Sequence, residues 1–313
     1  MVECPLCQKS NTTLLEKIQT KDLISGYYKI LKSNIAEEFH EHNEIGFYNC
    51  LSCDLRFFSP MVPGSEKFYK LFQVFDWYYM DDKSEYQYAA GFINESNDVL
   101  EIGAGKGAFA KKISAKCYTG LELSTQAKII AAQNGIEIKN ELIEEHAVNN
   151  KEKYDIVCSF QVLEHVSNLY SFINSSLACL KPDGLLIYSV PCADSYLSLV
   201  ENGLLNMPPH HMTWWSYNTL SNLAHIYNLE IYSYKHDKLE DHHVKEYAST
   251  ISLRAIKSIL HINYNFLNLS LSNRILIKIA SLMGRIYEKG LNDKNARSNG
   301  HSITVVYKKR DNG

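Results

Sequence analysis

The 313-residue sequence lacks any long apolar run: its opening, MVECPLCQKS, does not carry the apolar core expected of a signal peptide, and no segment approaches the ~18 uninterrupted apolar residues of a membrane span. A cytoplasmic protein is expected. It also lacks a basic excess, since 32 Lys and Arg stand against 35 Asp and Glu for a formal net charge of -3. The basic cluster Lys308-Lys309-Arg310 sits at the tail. Nothing in this balance draws the chain to nucleic acid as a main partner. No internal repeat or low-complexity tract occurs, so a solenoid is excluded.

What is present reads as an ordinary globular composition, 45% hydrophobic and 21% charged, long enough for one large domain and a smaller unit. Eight cysteines without an export signal point to thiols or metal ligands rather than disulfides. Cys4-Pro5-Leu6-Cys7 and Cys50-Leu51-Ser52-Cys53 are C-x2-C knuckles, each able to chelate one face of a tetrahedral Zn2+. The expected site is structural zinc on Cys4, Cys7, Cys50 and Cys53, with His40 and His42 as less favoured ligands. Residues 8–49 exceed the usual insertion of about 15 to 20, so a β-rich excursion from Asn11 to Tyr48 should fold back to join the knuckles. Cys117, Cys158, Cys179 and Cys192 are scattered.

Five regions follow: a zinc-binding module (1–62), an aromatic, largely helical linker (63–96), an α/β core (97–240), a helical insertion (241–297), and a final strand and tail (298–313). In the core, apolar strand candidates at 99–102, 117–121, 136–138, 155–160, 185–190 and 230–234 alternate with helical stretches at 107–113, 124–134, 169–180 and 217–227. That rhythm predicts a doubly wound parallel sheet covered on both faces. Lys181-Pro182-Asp183-Gly184 should end a helix and launch a strand, with Gly tolerating positive φ. The β-branched run 303–307 suits a final edge strand.

Val99-Leu100-Glu101-Ile102-Gly103-Ala104-Gly105-Lys106-Gly107 places a glycine-rich turn between a strand and a helix, where a ligand can approach the backbone closely. Alone it also satisfies a dinucleotide fingerprint, Gly103-x-Gly105-x-x-Ala108, with Glu122 near the expected acidic position. Two carboxylates separate these readings. Glu101 ends the strand before the loop and can hold the ammonium of a bound amino acid, a group that NAD does not carry. Glu122, after the second strand, can accept both hydroxyls of a ribose.

The four segments VLEIGAGKGAFA, YTGLELS, YDIVCSFQVLEHV and LKPDGLLIYSVP resemble, in order, the core motifs of the class I S-adenosylmethionine-dependent methyltransferase family. The resemblance covers residues 97–234 and resumes at the terminal strand. It implies a seven-stranded Rossmann-like sheet with its last strand antiparallel. It also implies cofactor roles for Glu101, Gly103, Ala104, Gly105, Gly107, Glu122 and Leu123, with Glu141 and Leu142 bordering adenine and Phe160 and Gln161 flanking the methionine end. Tyr78 and Tyr79 stand just before this core, and one of them, Tyr79 by preference, is a candidate for the methionine carboxylate.

The cysteine knuckles ahead of such a core resemble a subgroup found in deoxysugar and surface-polysaccharide pathways. A small carbohydrate-related acceptor is therefore expected, methylated on oxygen. N-methylation of an aminosugar, a non-catalytic zinc-ribbon scaffold and an NAD-dependent oxidoreductase are the competing readings. Glu164-His165 lies past the fourth strand at the carboxyl edge of the sheet, and Pro208-Pro209-His210-His211-Met212-Thr213-Trp214-Trp215 lies past the fifth. His165, His210 and His211 are the candidate bases, since His titrates near neutral pH, and the tryptophans are expected to wall the acceptor pocket. The amphipathic insertion offers a lid, a homodimer face or a membrane-surface element.

Overall fold

The computed structural model describes residues 2–72, 74–75, 80–288, 290 and 298–310. Trp77, Tyr78 and Tyr79 lie outside the described residues.

A four-stranded antiparallel sheet carries the cysteine knuckles: β1 (Thr12–Gln19), β2 (Glu44–Cys50), β3 (Arg56–Ser59) and β9 (Thr213–Trp214), in that spatial order. The excursion from 11 to 48 is strand, helix and strand rather than β-rich throughout. Its middle is α1 (Thr20–Leu31) followed by the single turn α2 (Ala36–Phe39). Leu23 and Tyr27, four residues apart, put their fully buried side chains on one helical face. Lys32 in the left-handed conformation ends α1 by donating its N–H to the Tyr28 carbonyl. Among its described residues the linker contributes the short α3 (Glu66–Lys70) and α4 (Ser84–Ala90).

Seven strands form the second sheet. They are β4 (Asp98–Ile102), β5 (Cys117–Leu121), β6 (Ile138–Lys139), β7 (Tyr154–Phe160), β8 (Leu180–Pro191), β10 (Leu229–Lys238) and β11 (Asn299–Lys309), in the order β10-β11-β8-β7-β4-β5-β6. Strands β6, β5, β4, β7 and β8 run parallel, and β11 is antiparallel to both its neighbours. Covering helices are α5 (Thr125–Gln133), α6 (Ile143–Asn149), α7 (Leu169–Cys179) and α8 (Tyr217–Ile226). Ser124, Asn168 and Ser216 cap α5, α7 and α8, each accepting a backbone N–H three residues on. The chain leaves β4 toward β5 and β6, then returns to β7 on β4's other side. That reversal opens a crevice at the carboxyl ends of β4 and β7.

Three sequence expectations give way here. The run at 303–307 is not an edge: β11 lies between β8 and β10, and Ile303, Val305, Val306 and Tyr307 are fully buried, as an interior strand requires. The helix expected over 107–113 is a three-residue 3-10 turn, Ala110–Lys112, because Gly107 at φ +77 keeps the chain out of the α region. In the Lys181–Gly184 turn the positive φ belongs to Asp183. Gly184 is needed for space, since a Cβ there would sit 2.9 Å from the Asp155 carbonyl oxygen.

The insertion is a hairpin of α9 (Val244–Ile259) and α10 (Leu271–Glu288), with Gly284 lying against the backbone of Ala248 and Ser249. A buried Lys257–Glu201 ion pair of 2.5 Å ties it to the loop after β8. Leu271, Ile275, Leu282 and Ile286 stay exposed along α10. Among the described residues no helix is long and apolar enough to cross a membrane.

Candidate active site and cysteine cluster

The glycine loop occupies the crevice. Gly103, Gly105 and Gly107 all have positive φ (+76, +53 and +77), a conformation that side chains with a Cβ rarely adopt. A Cβ on Gly103 would come within 2.3 Å of Val162 Cγ2, and one on Gly107 within 2.7 Å of Ile136 Cδ1. The loop is thus pressed against its surroundings, and its amides are held by the protein: Gly103 and Ala104 donate to the Leu121 carbonyl and Gly107 to the Ala104 carbonyl. Glu122 fastens it: Oε2 accepts the Gly105 N–H at 2.9 Å and Oε1 the Ser124 N–H at 2.7 Å. Two of the roughly four carboxylate lone-pair positions remain, the number that a ribose diol requires.

Glu101 lies beneath the loop, 1% exposed, and accepts the Tyr118 hydroxyl at 2.5 Å. Burial pushes its carboxyl up to about 8, against the opposing pull of Tyr118 and the Lys83 ammonium. Leu123 and Leu142 are exposed on the loops after β5 and β6, and Asn140 links those loops by donating to the carbonyls of Glu122 and Leu123. Glu141 turns inward instead, 2.7 Å from Nδ1 of the buried His146. The Phe160 ring packs into an aromatic cluster with Tyr86 and Phe109. Gln161, at φ +57, donates to Ser302 Oγ, and Ala104 is buried against Gly120.

Three imidazoles from two separate loops, those after β7 and β8, meet. His165 follows β7, whereas His210 and His211 follow β8, and their ring centres lie 4.4–4.8 Å apart. Each Nδ1 is engaged by an acceptor: His165 by the His210 carbonyl (2.6 Å), His210 by the Leu205 carbonyl (2.8 Å), His211 by Asn206 Oδ1 (2.8 Å). The Nδ1 atoms therefore carry the protons, and the three Nε2 atoms keep bare lone pairs. Burial lowers His165 to about 4 and His210 to about 3, and holds His211 well below its usual value, so all three are neutral at pH 7.

Glu164, 1% exposed, lies among them, its Oε1 3.9 Å from His165 Nε2 and 4.0 Å from His211 Nε2. Neither of its oxygens has a hydrogen-bond partner among the described residues, and burial pushes it up to about 8. Lys83 sits within electrostatic reach of Glu101, Glu164 and His301, joining the loop side to the histidine side. Lys83, Tyr118 and Asn206 carry no signal in the sequence. The tryptophans do not wall the pocket. Trp214 and Trp215 are 4% and 0% exposed because both pack into the core, and Trp214 donates its indole N–H to the Asn206 carbonyl.

The knuckles close on one another. Cys4 Sγ is 3.6 Å from Cys53 Sγ, Cys7 Sγ is 3.5 Å from Cys50 Sγ, and all four sulfurs lie within 4.8 Å. Zn–S bonds of about 2.3 Å in a tetrahedron put sulfurs roughly 3.8 Å apart, so the cluster is compatible with zinc. The hydrogen bond from Cys53 lowers Cys4 to about 6, favouring a thiolate there.

A family model for the methyltransferase domain matches residues 77–234, half of the chain. A ubiquinone biosynthesis O-methyltransferase of Salmonella paratyphi A is 33% identical over 99 residues, covering 29% of this chain and 41% of that protein. The same-named protein of Salmonella newport is 32% identical over 99 residues. The chain thus spans 41% of the length of these curated relatives. A solved methyltransferase from Archaeoglobus fulgidus, dependent on S-adenosylmethionine, is 14% identical, covering 79% of this chain and 95% of that one with a TM-score of 0.47. The matched stretch takes in the glycine loop, Glu101, Glu122 and the β4/β7 crevice, so residues 77–234 are an S-adenosylmethionine-dependent methyltransferase domain and the chain belongs to the methyltransferase-domain family.

Proposed function

We propose that the protein transfers a methyl group from S-adenosylmethionine to the hydroxyl of a small polar acceptor: a sugar, a nucleotide-linked sugar or a surface-polysaccharide precursor. The observation that carries this reading is the group of three neutral imidazoles and Glu164 brought together by the loops after β7 and β8. The bound donor supplies a methyl carbon on a positively charged sulfur, which needs a nucleophile aligned behind it rather than covalent help from the protein. Glu122 takes the ribose hydroxyls with its free lone pairs. Glu101 faces the methionine ammonium, and the exposed Leu123 and Leu142 are offered to adenine. His165, His210 and His211 present nitrogen lone pairs where the acceptor's proton must leave.

Oxygen as the acceptor atom accords with the Salmonella relatives, which are named O-methyltransferases. The carbohydrate class rests on the resemblance of a cysteine module ahead of such a core to proteins of sugar pathways. Cys4, Cys7, Cys50 and Cys53 hold one structural Zn2+ in this reading. Four thiolates complete a tetrahedron and leave no position for chemistry, so the ion contributes folding energy. The test is incubation with methyl-labelled S-adenosylmethionine and fractionated host metabolites, followed by mass spectrometry of the product. Label on oxygen of a small carbohydrate is expected; label on carbon or nitrogen, or in macromolecules alone, refutes the assignment.

A further inference from the structure

We propose that His165, His210, His211 and Glu164 form a second metal site, distinct from the cysteine cluster, which binds one divalent first-row transition-metal ion. Candidate ligand atoms of the three histidines all lie within 4.8 Å of one another, and Glu164 Oε1 stands 3.9 and 4.0 Å from two of the Nε2 atoms.

The argument begins from an imbalance of donors and acceptors. Each imidazole has committed its Nδ1 proton outward, to the His210 carbonyl, the Leu205 carbonyl or Asn206 Oδ1. What turns inward is three bare Nε2 lone pairs and a carboxylate. Acceptors alone, facing one another, repel unless something positive sits between them. The protein supplies no donor: among the described residues, both Glu164 oxygens and His210 Nε2 are buried without a partner. Leaving one such group unsatisfied costs about 1 to 3 kcal/mol, and three are gathered here. A proton on Glu164 would not resolve the conflict, because separations of 3.9 and 4.0 Å are too long for a hydrogen bond.

The surroundings are those of a ligand set. Imidazoles that bind metals through one ring nitrogen generally donate the other N–H to a carbonyl or carboxamide oxygen, which fixes tautomer and ring orientation. All three do so here. Three imidazoles with one carboxylate suit zinc, iron or manganese better than calcium or magnesium. Metal–nitrogen bonds of about 2.0–2.1 Å require the donor atoms to draw in by roughly an ångström from their present spacing. Three of the ligands are sealed, with Glu164 1%, His210 6% and His211 7% exposed, whereas the His165 side chain is 22% exposed. The site is therefore open on one side, where a fifth ligand can enter. This rests on and deepens the proposed methyl transfer: an acceptor hydroxyl on that open side would be acidified by the cation and give its proton to solvent there, its oxygen then taking the methyl group as the donor leaves as the neutral thioether, so no imidazole base is needed.

The test is metal stoichiometry and cobalt spectroscopy on the full chain, read without activity. Plasma mass spectrometry of wild type purified without chelator should find two equivalents of transition metal. His211→Ala should lose one while keeping the other. Cobalt titration of stripped protein should give one equivalent with a thiolate charge-transfer band and a second with visible ligand-field bands alone. Glu164→Gln, which preserves shape, should weaken the second equivalent at least tenfold, so a misfolded His211→Ala would not decide the matter. A single equivalent carrying only the thiolate signature overturns the proposal. Calorimetry with S-adenosylmethionine separates the two readings: donor binding without a second metal sinks this site alone, whereas a second metal without donor binding sinks the methyltransferase reading alone.

Discussion

Substituting Glu122 by Gln tests the donor pocket at its most closely constrained residue. The carboxylate already spends one lone pair of Oε2 on the Gly105 N–H (2.9 Å) and one of Oε1 on the Ser124 N–H (2.7 Å), leaving two for the ribose hydroxyls. Glutamine replaces one oxygen by an NH2 group. That group cannot accept from the ribose, and it faces a backbone N–H that also needs an acceptor. At least one charge-assisted hydrogen bond to the donor is lost, about 1.5 to 3 kcal/mol, equivalent to a roughly 10- to 100-fold rise in Kd for S-adenosylmethionine. The loop also loses one of its anchors, so the thermal midpoint should fall by a few degrees, as expected for about 1 kcal/mol in a chain of this size. Isothermal calorimetry with S-adenosylmethionine and S-adenosylhomocysteine measures the first effect, and a melting curve the second. A Kd within about twofold of wild type would refute the ribose role, and an unchanged midpoint would refute the anchoring role.

Other consequences follow from the same geometry. Glu101, pushed up to about 8, is protonated in the free protein at neutral pH and must ionise to meet the donor's ammonium. Donor affinity should therefore rise about tenfold per pH unit up to about pH 8 and level off above it, with proton release on binding seen by calorimetry in two buffers; a flat profile with no proton release would count against this. Gly103→Ala forces a Cβ to within 2.3 Å of Val162 Cγ2 at φ +76, so it should destabilise by about 1 to 3 kcal/mol. Adding Val162→Ala should recover only the steric part, and full recovery would show that φ is not limiting. Cys50→Ser should remove zinc and lower the thermal midpoint while leaving the donor Kd within about twofold; selective loss of donor binding would show that the cluster does more than support the fold.

How much of this could be read from residues alone depended on the range of the interactions involved. The strands β4, β5, β7 and β8 and the helices α5, α7 and α8 were legible because their patterns are local: apolar runs, helical spacing between them, glycines between strand and helix. The same holds for the four cysteines, whose paired spacing already predicts that they converge. Helix α1 was equally local, its Leu23 and Tyr27 repeat being present but outweighed by the expectation of a β-rich ribbon. Non-local partners left no trace. Glu164 reads in sequence as a carboxylate near a helix start, and only the packing of the 207–212 loop over it makes it a buried carboxyl group with no hydrogen-bond partner among the described residues. Tyr118 and Lys83 likewise act on Glu101, which neither adjoins in sequence. The interior position of β11 depends on β10 pairing outside it, which no local pattern records.

The two halves of the molecule are mechanically joined at the histidines. Strand β9, which completes the cysteine-bearing sheet, begins two residues after His211, and pairs Thr213 and Trp214 with Phe57 and Arg56 of β3. The loop before it is held by the same sheet and the linker, with the Phe58 N–H donating to the Met212 carbonyl (2.9 Å) and the Gly64 N–H to the Pro209 carbonyl (2.8 Å). On its other side the Met212 N–H donates to the Glu164 carbonyl at 2.8 Å, linking β7's loop to the same frame. From α1, the buried Tyr27 hydroxyl reaches the carbonyls of Leu204 and Met207. The second knuckle makes its own contacts with the core: Ser216, the α8 cap, donates to Asp54, and Asn222 donates to the Cys53 carbonyl. A loop carrying two prolines and two histidines has little regular structure of its own to hold imidazoles at fixed positions. Here its rigidity is borrowed from the small sheet that the cysteine cluster closes. The N-terminal module therefore braces the loops that carry the histidines, whereas the glycine loop and Glu122 belong wholly to the larger sheet, and if the histidines serve the acceptor as proposed, loss of the cysteine cluster should reach turnover before it reaches donor binding.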